Sequence, residues 1–233
     1  MSTSASPSTQ HGTGPAATRR PGPVLVVSDV DSTFIRDEVI ELFARHAGVE
    51  EQVAKVTAAA MRGELDFTQS LHARVKALAG LPVEVIHDVR REVRLTEGAA
   101  EFVAGLAAGG HTLALVSGGF EEVVTPLAAR MGIGHVVANR FEVADGRFTG
   151  RVAGRVVDRR VKAATLVELA QRLGIPVENT VAVGDGANDL DMLSVAGTGI
   201  AFCAKPVLRE AADIVIDRPD LRLVLDALAI DRP

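Results

Sequence analysis

The chain has 233 residues, room for one good core or one core with a smaller satellite. Its 47% hydrophobic and 24% charged residues suit a soluble globular protein, with apolar runs far too short to span a membrane. A net charge of −5, with no Trp and no Tyr, removes the basic surface and stacking platforms used for nucleic acid, so any anionic ligand must be met by local positive charge.

Residues 1–22 are rich in Ser, Thr, Pro and Gly, hold no apolar cluster, and are expected to form a disordered tail. Arg19 and Arg20 precede only "VLVV", too short for the core of an export signal. From Val24 onward, runs such as "VLVV", "HTLALVS", "HVVAN", "TVAVGD", "TGIAF" and "DIVID" alternate with helical stretches. Continuous rather than alternating hydrophobicity marks strands covered on both faces. The pattern predicts an α/β fold with a Rossmann-like, doubly wound parallel sheet. "FEVADGRFTGRV" adds a β-hairpin turning at Asp145-Gly146.

Between Arg36 and Val93 the rhythm changes to successive helices, predicting a helical cap over 36–93 inserted into a core of 23–35 and 94–233. Asp66, with Gln69 three residues on, is an N-cap with capping-box spacing. Arg74 lies on the apolar stripe of Phe67, Leu71 and Leu78. Two readings are open there: a stem covering apolar surface while its head reaches solvent, or a planar fork for a carboxylate or phosphate. The single cysteine, Cys203 in "GIAFCA", is expected to be a small buried side chain; it fits a cytoplasmic protein.

Chemistry is expected beyond the C-terminal ends of the strands. The first apolar run delivers Asp29 and Asp31, the second Ser117-Gly118-Gly119, and the fourth "GDGAND", with Lys162 opening the preceding helix. Two carboxylates about 4 Å apart repel by roughly 4 kcal/mol at an effective dielectric near 20, so an apposed pair wants a cation or a shared proton. Oxygen donors without a His or Cys cluster suit Mg²⁺. Ser117, the Gly118 N–H and Lys162 add donors that stabilise charge on a transferring phosphoryl group. Singly each motif is ordinary turn chemistry; the inference rests on their convergence at neighbouring strand ends. Neither a P-loop nor a dinucleotide fingerprint occurs.

"DVDST", "SGG", Lys162 and "GDGANDLDM" resemble, in order, the four motifs of the haloacid dehalogenase superfamily of phosphohydrolases, over Val24 to Leu228. Within it, "DVDSTFIRDEVIE", "RGELDFTQSLHARV" and "AFCAKP" are similar to the phosphoserine phosphatase family. Val30 departs from the Phe of many relatives, a hydrophobic exchange.

The resemblance implies Mg²⁺-dependent hydrolysis of the small molecule O-phosphoserine, through an aspartyl-phosphate intermediate, as the last step of serine synthesis. It makes Asp29 the nucleophile and Asp31 the general acid and base. Asp29, the Asp31 carbonyl and Asp185 would hold the metal, with Asp189 acting through water. Ser117, Gly118, Lys162 and Asn188 would meet the phosphate. Glu38 and Arg74 would take the substrate amino and carboxylate groups, deciding the reading of Arg74. Met61 and Phe67 match the cap surface over the substrate, with cap-core packing as the alternative. An N-terminal regulatory domain, carried by some relatives, is not expected. The alternatives are a phosphatase or phosphotransferase for another small phosphomonoester, such as phosphothreonine or phosphohomoserine, and a non-catalytic sensor of phosphorylated metabolites. The sequence assigns no oligomeric state.

Overall fold

The computed structural model describes residues 21–61 and 64–233, with the Met61 side chain outside the described part. The expected tail therefore lies, up to residue 20, outside the described residues. Seven strands form one sheet: β1 (Leu25–Ser28), β2 (Thr112–Phe120), β3 (His135–Ala144), β4 (Arg147–Ala153), β5 (Thr180–Gly184), β6 (Thr198–Phe202) and β7 (Ile214–Ile216). Their spatial order is β4-β3-β2-β1-β5-β6-β7, and every pair is parallel except β3 with β4. The mixed α/β, doubly wound sheet is as expected, with apolar clusters on both faces explaining the unbroken runs.

Ten α-helices accompany the strands among the described residues. Four lie between β1 and β2 before the first crossover helix: α1 (Val39–Ala47), α2 (Glu50–Met61), α3 (Phe67–Lys76) and α4 (Val85–Glu92). The rest are α5 (Ala99–Ala108), α6 (Glu121–Arg130), α7 (Arg159–Leu173), α8 (Leu190–Val195), α9 (Pro206–Arg209) and α10 (Arg222–Ala227). The capping box at α3 is present: Gln69 N donates to Asp66 Oδ1 at 2.8 Å, and Asp66 N donates to Gln69 Oε1 at 3.0 Å. The hairpin turns where expected, with Asp145 and Gly146 both left-handed at φ 50° and 71°. This is the conformation a two-residue hairpin loop demands.

"SGG" ends β2 as expected, the strand running on to Phe120. Two details differ from expectation. "HVVAN" and "FEVA" are one ten-residue strand, β3. Cys203 is exposed rather than buried: β6 ends at Phe202, and a left-handed residue at φ 45° turns the chain outward.

The helical insertion is not merely laid on the core. Phe43 of α1 meets Phe141 and Phe148 edge-on, with ring centroids 5.0 and 5.6 Å apart, and Phe141 stacks on Phe120. Such pairs add about 0.5–1.5 kcal/mol each beyond their burial. They tie α1 to the β2–β3–β4 end of the sheet.

Candidate active site

The central strand β1 is flanked by β2 and β5, and their C-terminal ends open at one edge. A cleft of about 820 Å³ lies there, lined by Asp29, Asp31, Glu38, Gly118, Asp185 and Asn188, with Phe67 and Arg74 supplied by α3. Ser117 and Lys162 are fully buried and lie outside this lining.

β1 stops at Ser28, and residues 29–35 make a tight loop closed by Ile35 N donating to the Val30 carbonyl at 2.9 Å. The Asp29 N–H donates to the Val183 carbonyl at 2.8 Å, so the start of the loop is held by β5. Val30 N donates to Asp29 Oδ1 at 2.7 Å. Ser32, at φ 58°, occupies a left-handed conformation and donates its hydroxyl to Glu38 Oε1 at 2.7 Å. A non-glycine residue there costs on the order of 1 kcal/mol, and the surrounding hydrogen bonds maintain it.

Beneath the loop, Lys162 Nζ lies 2.7 Å from Asp29 Oδ1 and donates to Asp189 Oδ1 at 2.8 Å. Asp158, the N-cap of α7, accepts from Val161 N and sets the first turn that carries this lysine. Asp189 also accepts, through Oδ2, from Asp185 N at 3.1 Å and Gly186 N at 3.2 Å. A Cβ on Gly184 would fall 2.4 Å from the Asp189 carboxyl, so only glycine allows this fold-back.

Asp29, Asp185 and Asp189 each present an oxygen within 4.8 Å of the others'. One buried lysine serves three clustered carboxylates, and the imbalance appears in the proton affinities of Asp29 and Asp185. Burial first, then the charge of Asp189, push Asp29 up to about 8, with Lys162 opposing only in part. Burial likewise raises Asp185 to about 6, against the pull of Lys205, whose Nζ lies 3.6 Å from its Oδ2. Burial works against the charge on Lys162, but Asp189 and Asp29 outweigh it and its pKa is raised. An all-oxygen, under-compensated triad fits a hard divalent cation.

The carboxyl of Asp31 stands apart from the triad. Its Oδ1 is buried without a hydrogen-bond partner, and burial, followed by Glu38 and Asp29, holds its pKa well above the ordinary carboxylate value. A carboxyl shifted in this direction keeps its proton to higher pH than an ordinary carboxylate, which suits it to proton transfer. Across the cleft, burial lowers the Arg74 pKa while Glu38, Asp31 and Glu41 oppose. Arg74 Nε donates to the Ser70 carbonyl at 3.3 Å. A Cβ on Gly118 would lie 2.8 Å from Phe67 Cζ, so α3 rests directly on the end of β2.

Two contributors escaped the sequence reading. Asn139 donates to the Gly118 carbonyl and accepts from Val157 N, both at 2.8 Å, fixing the strand end that carries Gly118. An amide ending the apolar "HVVAN" was the available signal. Lys205 lies in "AFCAKP", one of the segments that carry the resemblance, but its pairing with Asp185 joins two different strand ends and has no local signature.

These features define a hydrolase of the haloacid dehalogenase type, and the family model for haloacid dehalogenase-like hydrolases matches residues 26–194. The chain belongs to this family. Its similarities are to phosphoserine phosphatases: it is 57% identical over 208 residues to that of Streptomyces coelicolor, covering 89% of this chain and 51% of the relative. It is 48% identical to that of Streptococcus thermophilus, over 88% of this chain and 95% of the relative. The chain thus spans about half the length of the Streptomyces and Mycobacterium tuberculosis relatives. A phospho-aspartyl intermediate analogue of phosphoserine phosphatase superposes with a TM-score of 0.84 at 45% identity, over 90% of this chain and 99% of that one. A substrate-bound phosphoserine phosphatase gives 0.85 at 44%, over 91% and 100%. Among the described residues, no helix is long and apolar enough to cross a membrane.

The triad makes a pH prediction. Asp29 and Asp185 have raised folded pKa values, so between about pH 4 and 8 the folded state holds protons that the unfolded chain has released. The metal-free protein should lose stability as pH rises through that window. Binding a divalent cation at pH 7 should release about one proton, and affinity should weaken as pH falls. Calorimetry in buffers of different ionisation heat measures this; a binding heat independent of buffer would refute it.

Proposed function

We propose that this protein is a Mg²⁺-dependent phosphatase that converts O-phospho-L-serine to serine and phosphate, the closing step of serine synthesis, in the cytoplasm. The observation that carries the reading is that Glu38 and Arg74 border the same cleft as Asp29 and Asp31. An acid and a base for an amino acid thus accompany a nucleophile and a proton carrier. Similarity to phosphoserine phosphatases supports the same choice.

In the first step an Asp29 carboxylate oxygen attacks phosphorus, the bond to the serine oxygen breaks, and the Asp31 carboxyl gives that oxygen its proton. In the second, Asp31 takes a proton from water as the water oxygen attacks phosphorus and the bond to Asp29 breaks. Splitting one displacement into two lets a single carboxyl donate and then recover a proton. Mg²⁺, held by Asp29, Asp185 and the Asp31 carbonyl, would neutralise charge on the phosphoryl oxygens. Asp189 braces the site through Lys162. Ser117, the Gly118 N–H, Lys162 and Asn188 would orient the phosphate. Residues 23–35 and 94–233 would act as the catalytic core and 36–93 as the cap.

The test is phosphate release from phosphoserine, phosphothreonine, phosphohomoserine and an aryl phosphate, with Mg²⁺ and with EDTA. Metal-dependent preference for phosphoserine is expected; preference for another member would move the assignment to that substrate. Arg74→Ala should raise KM for phosphoserine about 10- to 100-fold, as loss of a charge-assisted carboxylate contact does, while sparing the aryl phosphate. Equal losses on both would remove Arg74 from carboxylate recognition.

A further inference from the structure

The helical insertion joins the sheet through two chain crossings, outward over residues 34–38 and back over 93–96. They run side by side. Ile35 and Leu95 form an antiparallel bridge, Arg36 N donates to the Arg94 carbonyl at 2.9 Å, and Thr96 N donates to the Phe34 carbonyl at 3.1 Å. One side-chain pair fastens the outer end of this ribbon. Asp37 Oδ2 accepts from Arg94 N at 2.8 Å, while Oδ1 accepts from Arg94 Nε at 3.1 Å and Nη2 at 2.6 Å. Asp37 is only 8% exposed, so its carboxylate is a fixed anchor; the Arg94 side chain is 70% exposed.

The residue after Asp37 is Glu38. Its carboxylate is held from the other direction by the Ser32 hydroxyl, and Ser32 N donates to the Asp37 carbonyl at 3.4 Å. Glu38 therefore stands between a loop that begins at Asp29 and a ribbon fastened by Arg94. Neither Asp37 nor Arg94 lines the cleft over Asp29.

We propose that Asp37 and Arg94 form a latch between the two crossings that positions Glu38 in the cleft, making both of them specificity-positioning residues for an ammonium-bearing phosphomonoester. The proposal rests on the reading of Glu38 as the partner of the substrate amino group. A displacement of the order of 1 Å in such a group costs up to about 100-fold, and without the latch Glu38 keeps only the Ser32 hydroxyl and the backbone ties against it. Loss of the latch should therefore appear in KM rather than in kcat.

The experiment compares wild type, Asp37→Asn, Glu38→Gln and the double variant on phosphoserine, with amide hydrogen exchange read over residues 33–38 and 93–96. Asp37→Asn should raise KM about tenfold with kcat within about threefold, and the ribbon amides should exchange faster. In the Glu38→Gln background the same change should add less than about twofold, because its route to substrate has already been removed. Penalties that multiply in the double variant, or unchanged exchange, would overturn the latch. Should Asp37→Asn fail to fold, Arg94→Lys serves in its place: it keeps the charge at an exposed position and loses the fork. Wild-type preference for phosphoserine over an aryl phosphate is measured first. Its absence would remove the substrate reading, and the exchange data would then decide the latch on their own.

Discussion

Asp29→Asn is expected to cut phosphate release by on the order of 10³-fold or more, because in the proposed mechanism an amide oxygen cannot replace the carboxylate that would form the bond to phosphorus. The substitution is isosteric, and the Val30 N–H bond to Oδ1 survives it. It also removes one of three clustered carboxylates whose burial and mutual repulsion hold Asp29 up to about 8. Its melting temperature in EDTA at pH 8 should accordingly be no lower than that of wild type. Assays of phosphate release alongside thermal unfolding check both halves. Residual turnover within tenfold of wild type would place the nucleophile elsewhere, and a large fall in melting temperature would mean that the site is not repulsive.

Lys162→Met should do the opposite to stability. The ammonium is fully buried and touches both Asp29 and Asp189, so its removal leaves two buried carboxylates facing each other. Breaking a buried pair in this way costs roughly 3–5 kcal/mol, and proton uptake by the orphaned acids sets the lower figure. Denaturant unfolding of the metal-free variant should show a loss of about 3 kcal/mol, smaller at pH 5 than at pH 8. Activity should fall with it. A variant as stable as wild type would mean that the lysine contributes no net stabilisation to the triad.

Much of this was legible from the chain because its local signals agree with its global arrangement. "VLVV" and the "VAV" of β5 are unbroken apolar runs since β1 and β5 are covered on both faces. Asp145-Gly146 announced its hairpin because two successive left-handed residues are what such a turn needs. The candidate site was readable as residue types at strand ends. What was not readable depends on contacts between distant segments. Asp37 and Arg94 meet only because two crossings run together, and Asp189 joins Asp29 only because glycine at 184 leaves it space. Cys203 was misjudged for a simpler reason: β6 stops one residue earlier than its apolar neighbours suggest.

The sheet order carries a consequence for synthesis. β1, which delivers Asp29, is bonded on one side to β2 and on the other to β5, with Leu25 opposite both Thr112 and Thr180. Both pairings close long loops of chain, so they form late relative to local helices and turns. A ribosome-bound chain that has emerged only as far as β4 holds Asp29 and Asp31, yet lacks Lys162, Asp185 and Asp189. The growing polypeptide therefore passes most of its length without the lysine and the other two carboxylates of the triad, and the centre is assembled only when α7 and β5 join β1.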